Sequence, residues 1–185
     1  MKKGALITII AIIAVIIIGG IASYNSLVSL DTKVEEQAAN IDTQLQRRAD
    51  LIPNLVNTVQ GYAEHETEVF TAVTEAREKL FAAGSMEEKS EANEEMSLAL
   101  GRLIAISESY PELKSDTVFT NLMDELAGAE NRISYARTEY NSSVASFNKA
   151  IRTFPTVIFA KMMGFEKAQS FEASESALEV PTVEF

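Results

Sequence analysis

A single histidine in a short acidic stretch is the first candidate for chemistry. Glu64 precedes His65, and Glu66 and Glu68 follow it. A histidine beside carboxylates can bind a metal ion or carry protons in acid–base catalysis. The HExxH arrangement of zinc proteases needs a second histidine one helical turn later, and this chain has Val69 there. We therefore predict no metal, no cofactor and no catalytic residue, and expect a hydrated helical surface around His65.

Other catalytic patterns are missing from the sequence as well. It contains no GxSxG, no GxxxxGK[ST] and no GxGxxG motif. It also contains no cysteine, which excludes disulfides, thiolate catalysis and cysteine zinc sites. These observations predict a protein that is not an enzyme.

Two adjacent arginines, Arg47 and Arg48, lie close to Asp50. Paired guanidinium groups can bind an anion or a protein partner. Basic side chains also interact well with the carboxyl end of a helix while they stay hydrated. We favour the second interpretation.

The N-terminal region predicts a membrane anchor. Residues 5–22 carry no charge and would span about 27 Å as a helix. A cleaved signal peptide is the alternative, but its apolar region usually covers about 7–15 residues. Lys2 and Lys3 place the N-terminus in the cytoplasm by the positive-inside rule. We predict a cytoplasmic segment at 1–4 and a single transmembrane helix at 5–23.

The charge of the chain limits its partners. Lys and Arg number 16 and Asp and Glu number 27, which gives a net charge of −11 at pH 7. Such a protein is repelled by phosphate backbones. We predict no binding of nucleic acid, and repulsion from anionic surfaces beyond about a Debye length.

Apolar residues recur every three or four positions on both sides of Pro53, which indicates a helix packed along one side. A proline inside a helix removes a hydrogen bond and clashes with the preceding turn. The pattern therefore fits either one kinked helix or two helices that reverse at Pro53. Asp50 is a candidate cap for a second helix over 51–83, and matching the helix lengths favours reversal. The apolar positions are Leu27, Leu30, Val34, Ala38, Ile41, Leu45, Ala49, Ile52, Val56, Val59 and Ala63.

Two more helices follow in the pattern. Gly84 and Ser85 are candidate caps before a helix at 86–108, and Ser115 or Asp116 begins one that extends to 153. The last helix has the most regular apolar stripe, which predicts packing at shallow angles. Its stripe is Leu122, Leu126, Ala129, Ile133, Ala136, Tyr140, Val144, Phe147 and Ile151.

These elements predict an all-α protein: an N-terminal transmembrane helix, then an antiparallel up-and-down four-helix bundle at 24–165 and a polar C-terminal tail at 166–185. Asn141 and Asn148 follow aromatic members of the last stripe. We expect them to form hydrogen bonds between helices, as polar residues beside a packed seam often do.

The segment 154–165, FPTVIFAKMMGF, is apolar and follows the last helix. In an up-and-down bundle it returns toward the membrane. Two roles stay open: insertion into the lipid interface with Lys161 and Lys167 near the headgroups, or closure of the lower end of the bundle core. The apolar side chains concerned are Val157, Ile158, Phe159, Met162, Met163 and Phe165.

Several stretches together resemble the LemA family of bacterial membrane proteins. They are YNSLVSLDTKVEEQ, IDTQLQRRADLIPNLVNTVQGYAEHE, VTEAR, YPELKSDTVFTNLMDEL, AENRISYARTEYNSSVASFNKAIRTFP, Gly164–Phe165 and the terminal PTVEF. The chain departs from the family at Ala39, where an aromatic residue is usual. The resemblance implies one membrane span and a four-helix bundle, and favours reversal at Pro53. It supplies no catalytic residue.

The combined prediction is a non-enzymatic helical-bundle protein of the bacterial envelope that acts as a scaffold or interaction module. Its expected partners are the lipid bilayer and unidentified envelope proteins or further copies of itself. We expect a single pass through the inner membrane, with the bundle outside the cytoplasm. The alternative is a sensory bundle that binds a small ligand between its helices and works through a partner protein.

Overall fold

The computed structural model describes residues 2–171. This part of the chain consists of helices and the segments that connect them, and it contains no β-strand. The all-α prediction is therefore confirmed. The helices are α1 (Lys2–Gln60), α2 (Thr67–Ala82), α3 (Met86–Ser107), α4 (Pro111–Lys114), α5 (Thr117–Ala150) and α6 (Thr156–Met163).

The first helix runs through Pro53 without a break, so the predicted reversal at this residue is wrong. Asp50 does not cap a second helix, because its Oδ1 accepts a hydrogen bond from Gln46 Nε2 at 2.9 Å within α1. The chain reverses instead at 61–66, where Tyr62 N and Ala63 N both donate to the carbonyl oxygen of Val59. The uninterrupted phase of the apolar stripe was the correct indication of one helix.

A proline is tolerated at this position because the hydrogen bond that it cannot make is replaced by another. The ring of Pro53 lies on the exposed side of α1. The carbonyl of Ala49, which a residue with an N–H at position 53 would bond, accepts a hydrogen bond from Arg77 Nε of α2 at 3.0 Å. The helix therefore keeps its hydrogen bonding through a side chain 28 residues away.

Residues 38–140 and 169–171 form one compact unit. In it, Tyr62 Oη, in the turn that follows α1, donates to Asp116 Oδ2 at the start of α5, at 2.8 Å. Arg48 lies fourteen residues before Tyr62, and Glu130 lies fourteen residues after Asp116. These two side chains also form a salt bridge. The two helices are therefore antiparallel.

The middle helices of this unit complete the up-and-down order. The Arg77–Ala49 bond across the turn at 61–66 makes α2 antiparallel to α1. The α3 helix runs parallel to α1, because Lys89 bonds Asp42 and Arg48 bonds residues further along α3. Residues 38–140 thus contain the predicted four-helix arrangement.

The core of this unit contains side chains from α1 to α5. The apolar stripes predicted from spacing are the ones that are buried, which removes their surface from water. Its largest fully buried members include Ile52, Leu55, Val59, Met96, Leu100, Leu103, Leu113 and Ile133.

Residues 2–37 and 141–168 form a second unit, made of the first part of α1, the end of α5 and α6. Its aromatic side chains meet around Phe165, whose ring centroid lies 6.4 Å from that of Tyr24 and 6.1 Å from that of Phe147. Leu27 is fully buried in it. The N-terminal part of α1 is also long and apolar enough to cross a membrane. Only 6% of this apolar stretch is buried inside the protein. A single N-terminal anchor is consistent with this finding.

Helix ends follow the capping residues that the sequence predicts, with the exceptions of Asp50 and Gly84. Ser85 and Glu88 form a capping box at the start of α3. Asp116 Oδ1 accepts from the backbone N–H groups of Val118 and Phe119 at the start of α5. Gly84 has no left-handed conformation, whereas Gly164, with φ 78°, ends α6 in that way.

Candidate functional site

The histidine considered for metal binding lies in the turn at 61–66 and not on a helix, so the predicted helical surface is wrong at this point. His65 and Glu64 are exposed, as expected of a hydrated segment. Residues 2–171 contain no group of three or more His, Asp and Glu side chains arranged to hold a metal ion.

Arg48 is buried, although the sequence favoured a hydrated side chain. Its Nη1 donates to Asn93 Oδ1 at 2.8 Å, and its Nη2 donates to Ser97 Oγ at 3.0 Å. Both partners lie on one face of α3, four residues apart. The neighbouring Arg47 is exposed. The two arginines, adjacent in sequence, thus have different roles.

The charge of Arg48 is balanced from α5. Glu130 Oε2 lies 3.0 Å from Arg48 Nη1, and the Glu130 side chain is 46% exposed. Burial lowers the pKa of the Arg48 guanidinium, and the carboxylate of Glu130 opposes that effect. A guanidinium remains protonated in proteins, so this cluster does not transfer protons. It holds α1, α3 and α5 together.

Geometry leaves part of this cluster incompletely bonded. Arg48 Nε and Glu130 Oε2 are buried atoms without a hydrogen-bond partner, although Glu130 Oε2 forms an ion pair with Arg48 Nη1. The Glu130 contact is therefore mainly electrostatic. An indirect indication of this cluster is present in the sequence, because Arg48 directly precedes a stripe position, Ala49, and Asn93 and Ser97 repeat at helical spacing.

The predicted role of Asn148 in bonding between helices is wrong. Its Nδ2 donates to the carbonyl oxygen of Ala168 at 2.8 Å, and its Oδ1 accepts from the N–H of Ala168 at 2.9 Å. The partner is an extended segment after α6, not another helix. In the other unit, Tyr140 Oη donates to the carbonyl oxygen of Gln169. The segment that follows α6 is thus held along α5.

The apolar segment at 154–165 forms α6, one side of which faces inward. Ala160 is buried, and the ring of Phe159 lies over Gly20, where an added Cβ would be 3.0 Å from Phe159 Cε1. The opposite side is exposed: Phe154 by 76%, Ile158 by 55% and Met162 by 72%. Closure of a core therefore accounts for only one side of this helix.

An open apolar groove of about 470 Å³ lies between α6 and the first part of α1. The α1 residues that line it come mostly from the uncharged stretch at 5–22. They are Ile16, Ile17, Gly20, Ile21 and Tyr24, and they face Phe159, Met162 and Met163. This groove and the exposed side of α6 form one apolar surface, here called the α6 face.

Comparison with known proteins gives one family. The family model described as "LemA family" matches residues 37–185. Magnetosome protein MamQ of Magnetospirillum gryphiswaldense is 28% identical over 174 residues, which cover 80% of this chain and 64% of that protein. The chain thus spans less than two thirds of the length of that relative.

Two further relatives show a comparable degree of similarity. Magnetosome protein MamQ 2 of Paramagnetospirillum magneticum is 25% identical over 194 residues, covering 91% of this chain and 70% of that protein. Protein LemA of Metamycoplasma hominis is 26% identical over 153 residues, covering 82% and 69%. These names describe neither a reaction nor a substrate.

Proposed function

This chain belongs to the LemA family, and on that premise we propose that it is a non-enzymatic scaffold or interaction module of the bacterial envelope. Its first helix anchors it in the inner membrane with a single pass. Lys2 and Lys3 favour a cytoplasmic N-terminus, which puts the four-helix unit outside the cytoplasm.

The observation that carries this proposal is that buried and partly buried polar side chains of residues 38–140 bond one helix to another. Arg48 bonds Asn93 across two helices, and Arg77 bonds the backbone of α1 at Ala49. Polar side chains that hold helices together are not free to act on a substrate. The same unit leaves large apolar side chains exposed, among them Leu98 on α3 and Tyr135 on α5. Contiguous apolar patches mark contact sites for partners, whereas single exposed apolar side chains are common on any surface, so Leu98 and Tyr135 serve as positions at which to test for a partner.

The relatives support an assembly role. Two of them are named as magnetosome proteins, a name that assigns them to a cell structure. By analogy, the partners of this chain are proteins of its own envelope or further copies of itself.

Site-specific photocrosslinking in native membranes tests the proposal. A photoreactive amino acid replaces Leu98 or Tyr135, and the exposed Glu91 on α3 is the matched polar control position. We expect a discrete crosslinked species from the probe at Leu98 or Tyr135, identified by mass spectrometry as an envelope protein or a second copy, and none from the probe at Glu91. Crosslinks confined to the chain itself would contradict the proposal.

A second measurement separates the scaffold role from the sensory alternative. Thermal denaturation of the purified full chain is followed in the presence of small-molecule metabolites. A specific ligand that raises the Tm in proportion to its concentration would favour the sensory role. A scaffold is expected to show no such ligand and to keep its crosslinked partner.

A further inference from the structure

The α6 face lies against the part of α1 that is predicted to cross the membrane. Phe159 contacts Gly20, two residues before the end of the apolar stretch at 5–22. Met162 and Met163 line the groove together with Ile16 and Ile17, which lie deeper in that stretch. If this stretch is inside the bilayer, the helix packed on it lies at the same depth.

The exposed side chains around this position match a bilayer rather than water. Phe154, Ile158 and Met162 are the most exposed apolar groups of the segment. The side chains of α1 from Leu6 to Ile18 are also exposed around the helix, without one preferred face. A helix that is apolar all round indicates lipid as its surroundings, whereas a second copy would require one apolar stripe.

The local charge differs from that of the whole chain. Residues 141–168 contain Lys149, Arg152, Lys161 and Lys167, with Glu166 as their one acidic residue. The chain as a whole carries −11. Arg152, Lys161 and Lys167 are exposed beside the apolar groups of α6. Basic side chains close to an anionic membrane surface are attracted to its phosphates, and long stems let them reach from an apolar helix to the headgroups.

We infer that α6 is an interfacial helix that inserts the α6 face into the bilayer beside the end of the membrane span. Phe154, Ile158 and Met162 enter the acyl region, and Lys161 and Lys167 bind the phosphates of anionic phospholipids. Tyr24, exposed and in contact with Phe165, lies at headgroup level, where aromatic side chains are enriched. This inference rests on the membrane anchor of the proposed function. It adds a second contact with the same bilayer.

Tryptophan fluorescence tests this placement, since the chain contains no Trp of its own. Single variants Ile158→Trp and Met162→Trp of the full chain are reconstituted in vesicles of phosphatidylcholine and phosphatidylglycerol. Acyl chains brominated near the headgroup quench a tryptophan in the interface, chains brominated near their ends quench one in the middle of the bilayer, and acrylamide quenches one in water. Val118→Trp is the matched control, an exposed apolar position outside α6. Ile12→Trp reports on the anchor itself.

We expect brominated lipid to quench the probes at 12, 158 and 162, while the probe at 118 responds to acrylamide only. Quenching at 12 together with acrylamide quenching at 158 and 162 would overturn the interfacial helix and leave the anchor intact. Probes at 158 and 162 that neither agent reaches, with energy transfer between labelled copies, would assign the α6 face to a second copy and overturn the inference. A probe at 12 that lipid does not quench would overturn the anchor and this inference together.

A nitroxide label gives an independent measurement that does not depend on a new aromatic side chain. The chain has no cysteine, so Phe154→Cys provides a single attachment site. Greater accessibility to oxygen than to a water-soluble nickel complex is expected, and the reverse order would overturn the insertion. We expect the nitroxide to insert more deeply in vesicles with phosphatidylglycerol than in phosphatidylcholine alone. Lys161→Gln combined with Lys167→Gln is expected to remove that difference. An unchanged lipid dependence would overturn the headgroup contact.

Discussion

Arg77 Nε donates a hydrogen bond to the backbone carbonyl of Ala49 at 3.0 Å, and this bond replaces the one that Pro53 cannot make. The same guanidinium lies over the ring of Phe81, with 4.7 Å between Arg77 Cζ and the ring centroid. A side chain of α2 therefore completes the backbone hydrogen bonding of α1. This relationship explains why a proline persists in the middle of a packed helix.

A double-mutant cycle measures that relationship. Pro53→Ala restores an N–H that can bond Ala49, and it removes the cost of proline in a helix, about 3 kcal/mol relative to alanine. Arg77→Ala in the natural chain is expected to cost about 1–2 kcal/mol, because it leaves a carbonyl without its charged donor. In the Pro53→Ala background the cost should be clearly smaller. The measurement is the free energy of unfolding of the full chain in detergent, from urea titrations followed by circular dichroism.

Arg102→Ala, on the exposed side of α3, is the control for loss of a surface arginine. An equal cost of Arg77→Ala in both backgrounds would show that Arg77 does not act through the carbonyl of Ala49.

Arg48 and Arg47 are predicted to differ sharply in their effect on stability. Arg48→Ala should cost about 1–3 kcal/mol, because it leaves the buried Oδ1 of Asn93 without its donor. Arg47→Ala, at an exposed position, should change stability by about 0.5 kcal/mol or less. Glu130→Gln should cost less than about 1 kcal/mol, since its side chain is 46% exposed to solvent. Equal effects of the two arginine variants in urea unfolding would contradict the buried cluster.

Acid is predicted to weaken the start of α5. Backbone hydrogen bonds from Phe119, the hydroxyl of Tyr62 and the N–H of Val118 lower the pKa of Asp116 from its ordinary value of 3.8. A carboxylate with a lowered pKa stabilises the native state above 3.8, and that contribution is lost as the pH falls below this value. Asp116→Asn keeps a capping side chain without the titration. We therefore expect a shallower fall of Tm with pH in this variant.

The exposed Asp124, on the same helix, provides the control substitution Asp124→Asn. If the natural chain and Asp116→Asn lost Tm in parallel as the pH fell through 3.8, the assigned role of Asp116 would be wrong.

Gly20 and Gly19 are predicted to differ in how they tolerate a larger side chain. An added Cβ at Gly20 meets Phe159 Cε1 at 3.0 Å, whereas one at Gly19 has no atom of another residue within 4 Å. Gly20→Leu should therefore displace α6 from α1, and Gly19→Leu should leave it in place. Limited trypsin digestion of the full chain in detergent detects this as faster cleavage after Lys161. Equal cleavage rates in the two variants would exclude the close contact as the reason for a glycine at position 20.

The sequence predicted the features of the fold that depend on local patterns. Spacing alone identified the buried stripe of α5, in which Ile133, Ala136 and Tyr140 are buried. Local hydrogen-bonding preferences identified the cap at Ser85 and narrowed the cap of α5 to Ser115 or Asp116, of which Asp116 is the one observed. Such preferences act within a few residues along the chain, so they can be read without knowing the fold.

The errors concerned polar contacts between residues distant in sequence. Reversal was assigned to Pro53 because the donor that satisfies Ala49 lies 28 residues away, and no local rule shows it. Arg48 was taken as hydrated because its bond to Asn93 spans 45 residues. Asn148 was expected to bond a helix, whereas its partner, Ala168, follows α6. These pairings become visible only after the helices have been placed side by side.

The proline in α1 also fixes the register between two helices. Apolar stripes repeat with each turn, so a pair of helices held by them alone can slide by about 5.4 Å and still bury similar surfaces. Pro53 leaves the carbonyl of Ala49 without a backbone donor, which distinguishes this turn of α1 from its neighbours. Arg77 can bond that carbonyl in one alignment of the two helices only. A shift by one turn would leave Ala49 unbonded and set Arg77 against a carbonyl that already has its partner. A residue that weakens its own helix thereby makes the alignment of α2 on α1 unambiguous.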